Sequence, residues 1–217
     1  MVKLAVNMRT QASRTGSALV AVLLAVTGVL LIRPAPANAT TKQEAIATLA
    51  FDNVGKKACS TNSKGGKGYY KSCTGYGGGP EYWCADFAKW VWAENGVKDT
   101  SELSAAAYSF YAYAKKHGGI HKVPKLGDVA IFTATKNDFT WSDHGISHVA
   151  IVGGWSDSGK SVHTVSGDWY TNPPGDESVN KFAGGSHVID NGEYNSTPEV
   201  YVSKMFYYIV GYVSPVL

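Results

Sequence analysis

The sequence predicts an α+β domain in which N-terminal helices pack on an antiparallel β-sheet. Two observations carry this. Three segments with apolar residues at spacings of three or four come first, and after Pro124 the texture changes to short runs of β-branched and aromatic residues separated by Gly, Asp, Ser and Pro. Helices first and strands after argue against a parallel alternation of the two.

The first helix is expected over residues 42–54. Thr41-Lys42-Gln43-Glu44 has the form of a capping box, and Ile46, Leu49, Ala50 and Val54 follow at helical spacing. A loop rich in Gly, Lys and Ser comes next, flanked by Cys59 and Cys73. The second helix is expected over 81–94: Pro80 suits a first turn, Trp83, Phe87, Trp90 and Val91 share one broad face, and Gly96 stops it. The third is expected over 101–117, with Leu103, Ala106, Ala107, Phe110, Tyr111 and Ala114 at helical spacing and Gly118-Gly119 closing it. Strands are expected at 128–134, 148–154, 161–166, 187–189 and 205–213, and residues 170–181 read as an exposed loop.

Residues 1–39 read as an export signal. Lys3, Arg9 and Arg14 are basic, an apolar run extends from Ser17 to Ile32, and Ala37-Asn38-Ala39 supplies small residues before an expected cut after Ala39. The alternative is an uncleaved anchor, because that run approaches the length that spans a bilayer. Residues 40–217 suit one domain, expected to be secreted or cell-wall associated, monomeric, and free of the membrane once the signal is removed. Four of the 20 basic residues lie in the signal, leaving 16 lysines and no arginine against 17 acids, a balance near neutral. The lack of arginine's planar fork disfavours nucleic acid as a partner.

Three cysteines, Cys59, Cys73 and Cys84, leave one thiol over in an oxidising compartment. The loop between Cys59 and Cys73 has little apolar content to hold it, and closing it contributes roughly 3 kcal/mol. These two are expected to pair. Two alternatives stay open: Cys84 as a buried structural thiol, or Cys84 paired with Cys73.

A thiol attacks as thiolate, and a helix start favours that form through its dipole and unpaired amides. Cys84 falls in the first turn of the expected second helix, where its own amide can donate to a developing oxyanion. Histidine is the side chain suited to take the proton. Of six, His117 and His121 flank a helix end, His187 and His163 are strand residues, and His148 opens a strand after Asp143-His144-Gly145, a position from which a ring can reach over the sheet edge. A third group should orient the imidazole, and strand alternation puts Ser166 and Asp168 on one face, with Asp168 the charged candidate. Gly167-Asp168 also reads as a simple turn.

Tyr82-Trp83-Cys84-Ala85-Asp86-Phe87-Ala88, Pro124-Lys125-Leu126-Gly127-Asp128-Val129-Ala130-Ile131-Phe132 and Ser147-His148-Val149-Ala150-Ile151-Val152 resemble, in order and spacing, the CHAP family of cysteine, histidine-dependent amidohydrolases and peptidases. The closing Val210-Gly211-Tyr212-Val213-Ser214-Pro215 is similar to the end of such domains, so the likeness covers roughly residues 42–215. The resemblance implies a papain-like fold related to the NlpC/P60 group. It also implies hydrolysis of peptidoglycan at the sugar-to-peptide amide, the stem peptide or the cross-bridge, with Cys84 as nucleophile, His148 as base and no cofactor. The family often carries Glu, one residue, then Asn on the strand after the histidine strand. This chain has Ser166 and Asp168 there, and Asp168 is placed to orient His148 from the second position.

The rival reading is a secreted, non-catalytic wall- or carbohydrate-binding domain, suggested by exposed-looking aromatics at Tyr69, Tyr70, Tyr76 and Trp141. A metal site from His144 and His148 is disfavoured, because loop-into-strand spacing does not converge on one ion and the cysteines lack a paired C-x-x-C form.

Overall fold

The computed structural model describes residues 40–75, 82–134, 145–156, 159–169, 186–203, 205 and 207–217. The expected export signal, the expected 170–181 loop, Tyr76, Trp141 and His144 lie outside these residues. In chain order the described elements are α1 (Lys42–Phe51), α2 (Cys84–Glu94), a 3-10 turn (Thr100–Glu102), α3 (Tyr108–Lys116), β1 (Val129–Thr133), β2 (Ile146–Trp155), β3 (Ser161–Trp169), β4 (His187–Asn195), β5 (Tyr201–Val202) and β6 (Tyr207–Val213). The class is α+β. The strands pair antiparallel in one sheet of order β4-β3-β2-β1-β6-β5.

Thr41 caps α1 as expected: its hydroxyl accepts from the Glu44 amide at 3.2 Å, and the Glu44 carboxylate accepts from the Thr41 amide at 2.7 Å. The helix stops at Phe51, short of residue 54, because Asn53 is recruited elsewhere. Its side chain donates to the Leu49 carbonyl at 2.8 Å and to the Ser63 hydroxyl at 2.7 Å, tying the helix end to the following loop. That loop is closed by a Cys59–Cys73 disulfide, and Cys84 is the free cysteine.

The helix α2 is buried from Cys84 through Trp92, as an element apolar on nearly every side should be. Trp83 and Trp92 are each almost fully enclosed, and burying side chains of this size stabilises the fold by about 2–3 kcal/mol apiece. Tyr69 is buried as well, stacked on Trp83 at 5.5 Å and edge-on to Phe87, so it is a core aromatic and not the exposed one its loop position suggests. Tyr70 does face solvent.

The third helix begins at Tyr108, not at residue 101. Ser109 accepts from the Ser104 amide at 3.1 Å and donates to the Ala106 carbonyl at 2.7 Å, and this local bonding holds the approach to the helix in turns. Leu103 there is extended, with φ −80° and ψ 145°.

Alternation along the central strands divides the core into two clusters. Val129 and Ile131 of β1, Val149 and Ile151 of β2 and Val165 of β3 join side chains of all three helices, Cys84 among them. Ala130, Phe132, Ala150 and Val152 point the other way and join Val162, Tyr194, Ile209 and Tyr212.

Candidate active site

Cys84 is the first residue of α2, directly after the N-cap Trp83. Its sulfur lies against the backbone of β2, where the Val149 amide donates to it, with the Ala85 amide as a second donor. Val149 follows His148 in the chain, so the thiol sits at the strand position next to the histidine. The His148 ring lies parallel to Tyr207 (centroids 5.6 Å apart, planes 3° apart) and 4.8 Å from the Trp169 ring. Tyr207 spans the two groups: burial and then the charges of Cys84 and Asp168 push its phenol up to about 12.

Both members of the pair are enclosed, with Cys84 6% and His148 3% exposed. Burial pushes the thiol up to about 12, with the nearby Asp168 charge as the next cause, and pushes the imidazole down to about 3. The resting pair is therefore a neutral thiol and a neutral imidazole. The Val149 amide of β2 and the Ala85 amide at the helix start oppose this for the sulfur, but desolvation outweighs them.

Behind the ring stands Ser166, its hydroxyl 2.9 Å from His148 Nε2. Asp168, the charged candidate for that position, has other partners. Its carboxylate accepts from the Trp83 amide at 3.1 Å and from the Ser186 hydroxyl, so it caps the start of α2. The reason is a break in strand alternation. The pairing of β3 with β4 shifts register between Ser166 and Trp169, and Asp168 adopts φ +54°, which turns its side chain from the histidine side to the helix side. Gly167 between them permits α2 to come this close: a Cβ there would lie 2.4 Å from Phe87 Cβ and 3.0 Å from the Trp83 ring. Gly167-Asp168 is a bulged strand under a helix, not a turn. Burial raises Asp168 to about 6, with the Ser186 and Trp83 hydrogen bonds pulling the other way.

The other histidines among the described residues are engaged elsewhere. His117 bonds the Glu102 carboxylate at 3.1 Å, His121 bonds the Val123 carbonyl at 2.7 Å and Ser214 at 2.9 Å, and His163 pairs with Asp190. His187 forms a bridge with Lys57. Among the described residues no group of three His, Cys, Asp or Glu side chains is placed to hold a metal. Sequence reasoning missed Asn191, whose side chain accepts from Ser166; the Asn-Gly pair that signals it reads as turn chemistry.

The structure thus sets a thiol at the first turn of a buried helix against the strand that carries His148. Comparison with family models extends this: residues 68–168 match the CHAP domain, which is consistent with a CHAP domain of the papain-like cysteine/histidine amidohydrolase and peptidase group. The match contains Cys84, His148, Ser166 and Asp168 and ends before Asn191; the likeness read from the sequence runs further at both ends. CHAP domains are hydrolases, and the family implies peptidoglycan as substrate. No curated protein and no solved structure matches the chain.

Proposed function

We propose that this protein is a secreted peptidoglycan hydrolase that cleaves an amide bond by a Cys-His mechanism, acting either as an N-acetylmuramoyl-L-alanine amidase or as an endopeptidase of the stem or cross-bridge. The observation that carries the reading is a free, buried thiol at a helix start whose sulfur meets the backbone amide beside His148. The basic and apolar features of residues 1–39 and the Cys59–Cys73 disulfide support export. In this reading the N-terminal helices pack on the sheet as in papain-like enzymes, and the secreted domain works as a monomer.

With Nε2 facing Ser166, Nδ1 of His148 is the nitrogen left for the thiol. The Cys84 proton passes to Nδ1 as the sulfur electron pair attacks the amide carbon, so the two charges form together and each lowers the cost of the other. Amide groups at the start of α2 stabilise the oxyanion. The imidazolium then gives its proton to the leaving amine as the C–N bond breaks; water attacks the thioester with His148 as base, the C–S bond breaks, and the imidazolium returns its proton to the Cys84 sulfur. Asp168 holds the start of α2 in place, a structural part in the site distinct from orienting the base.

The purified protein is expected to clear a peptidoglycan suspension, and Cys84→Ala to abolish clearing while leaving the circular dichroism spectrum unchanged. Mass analysis of the released fragments identifies the bond through the new amino groups. Clearing by the alanine variant at the wild-type rate would overturn the proposal.

A further inference from the structure

We infer that Asn191 is a positioning residue of this site, acting through Ser166 to fix the tautomer of His148. The inference rests on the Cys-His reading above and adds a residue that lies beyond the matched CHAP segment. The Ser166 hydroxyl is 2.9 Å from His148 Nε2 and donates to the Asn191 side-chain carbonyl at 2.7 Å. A hydroxyl has one proton. Once it is committed to Asn191, Ser166 meets the imidazole only as an acceptor, so the ring proton sits on Nε2 and the lone pair on Nδ1. A serine alone can donate or accept and leaves the tautomer unspecified. Asn191 makes it one-way.

The neighbours of Asn191 agree with its carbonyl facing inward. Thr164 also donates to Asn191 Oδ1, at 3.2 Å, and its own oxygen lies 2.7 Å from the Tyr194 hydroxyl, so a second hydroxyl converges on the same atom. The backbone explains how the residue reaches this place. Thr164 pairs with Gly192 and Val165 with Asp190, which leaves Asn191 as the extra residue of a β-bulge, with Gly192 at φ +64°. A bulge re-aims a side chain that regular alternation would place elsewhere. The relay supplies what an orienting carboxylate supplies, a fixed acceptor behind the ring, without adding a charge to the buried site.

The test uses protein purified from expression of the full chain, in the wild-type form and as Asn191→Leu, which removes the acceptor at similar volume, and Asn191→Asp, which keeps it and adds charge. Nitrogen-15 spectra of His148 and the pH profile of peptidoglycan cleavage are measured on each. The wild type is expected to show the proton on Nε2, and Asn191→Leu to show a mixture of tautomers with kcat lowered on the order of a hundredfold at little change in KM. Asn191→Asp should keep the Nε2 tautomer and most of the activity, with the acidic limb of its profile moved to higher pH. A proton on Nδ1 in the wild type, or an unchanged tautomer and rate in Asn191→Leu, would overturn the inference. If Asn191→Leu does not fold, the wild-type and Asn191→Asp spectra decide alone. Absence of cleavage by a wild type that shows the expected spectra would count against the proposed substrate and not against Asn191.

Discussion

The two sides of the central strands are built for different tasks. On the helix side, Cys84 belongs to a continuous apolar cluster with Val149, Ile151 and Val165, and its position is set by packing. On the other side, His148 sits among Phe132, Tyr207 and Trp169, and its ring is held by a hydrogen-bonded chain running through the Ser166 hydroxyl to the Asn191 side-chain carbonyl. The sulfur of Cys84, against the Val149 amide, and the ring of His148 thus flank one stretch of β2, each anchored in a separate core. Packing tolerates small shifts poorly but needs no polar partner; the hydroxyl chain fixes proton positions but depends on every link.

The largest effect is expected where the helix side touches the sheet. In Gly167→Ala the new Cβ would fall 2.4 Å from Phe87 Cβ, a contact no rotamer change can relieve. The helix must move, with a stability loss of about 2 kcal/mol or more and a loss of cleavage beyond what unfolding explains. Thermal melts and assays below the melting range separate the two. Unaltered activity in Gly167→Ala would show that Cys84 does not depend on this close approach.

A smaller effect, of opposite sign, is expected at Asp86 on the same helix. This carboxyl is buried, one of its oxygens has no hydrogen-bond partner, and burial pushes it up to about 7. The native state therefore binds this proton more tightly than the unfolded chain, and the associated stability, present below about pH 4, is lost as pH rises through 7. Asp86→Asn removes the penalty. It should gain on the order of 1 kcal/mol at pH 8 and almost nothing at pH 4, measured by denaturant titration. A gain of equal size at both pH values would contradict a buried charge as its source.

The parts of this molecule that depend on local chemistry were legible in the sequence. The Thr41 capping box, the apolar second helix with Cys84 near its start and the strand opened by His148 all stand close to where spacing puts them. The helix starts and ends that moved did so because Asn53 and Ser109 bond to backbone in ways periodicity does not register. The group behind His148 was legible only as a choice between Ser166 and Asp168, since that choice turns on a register shift and one positive φ. Strand β4 runs past 189 through Asp190-Asn191-Gly192, a string that reads as a turn in isolation and becomes a bulge only against β3. Asn191 was hidden for the same reason, as was β5, whose two residues carry no pattern of their own.

The most direct test of the pairing of Cys84 with His148 is the rate at which iodoacetamide alkylates Cys84 as a function of pH, in the wild type and in His148→Gln. Because burial opposes the thiolate, the account predicts that the reaction near neutral pH depends on transfer of the thiol proton to the imidazole. His148→Gln should slow it on the order of tenfold or more at pH 7 and leave only the limb that rises with alkaline ionisation of the thiol. Superimposable profiles for the two proteins would contradict the account.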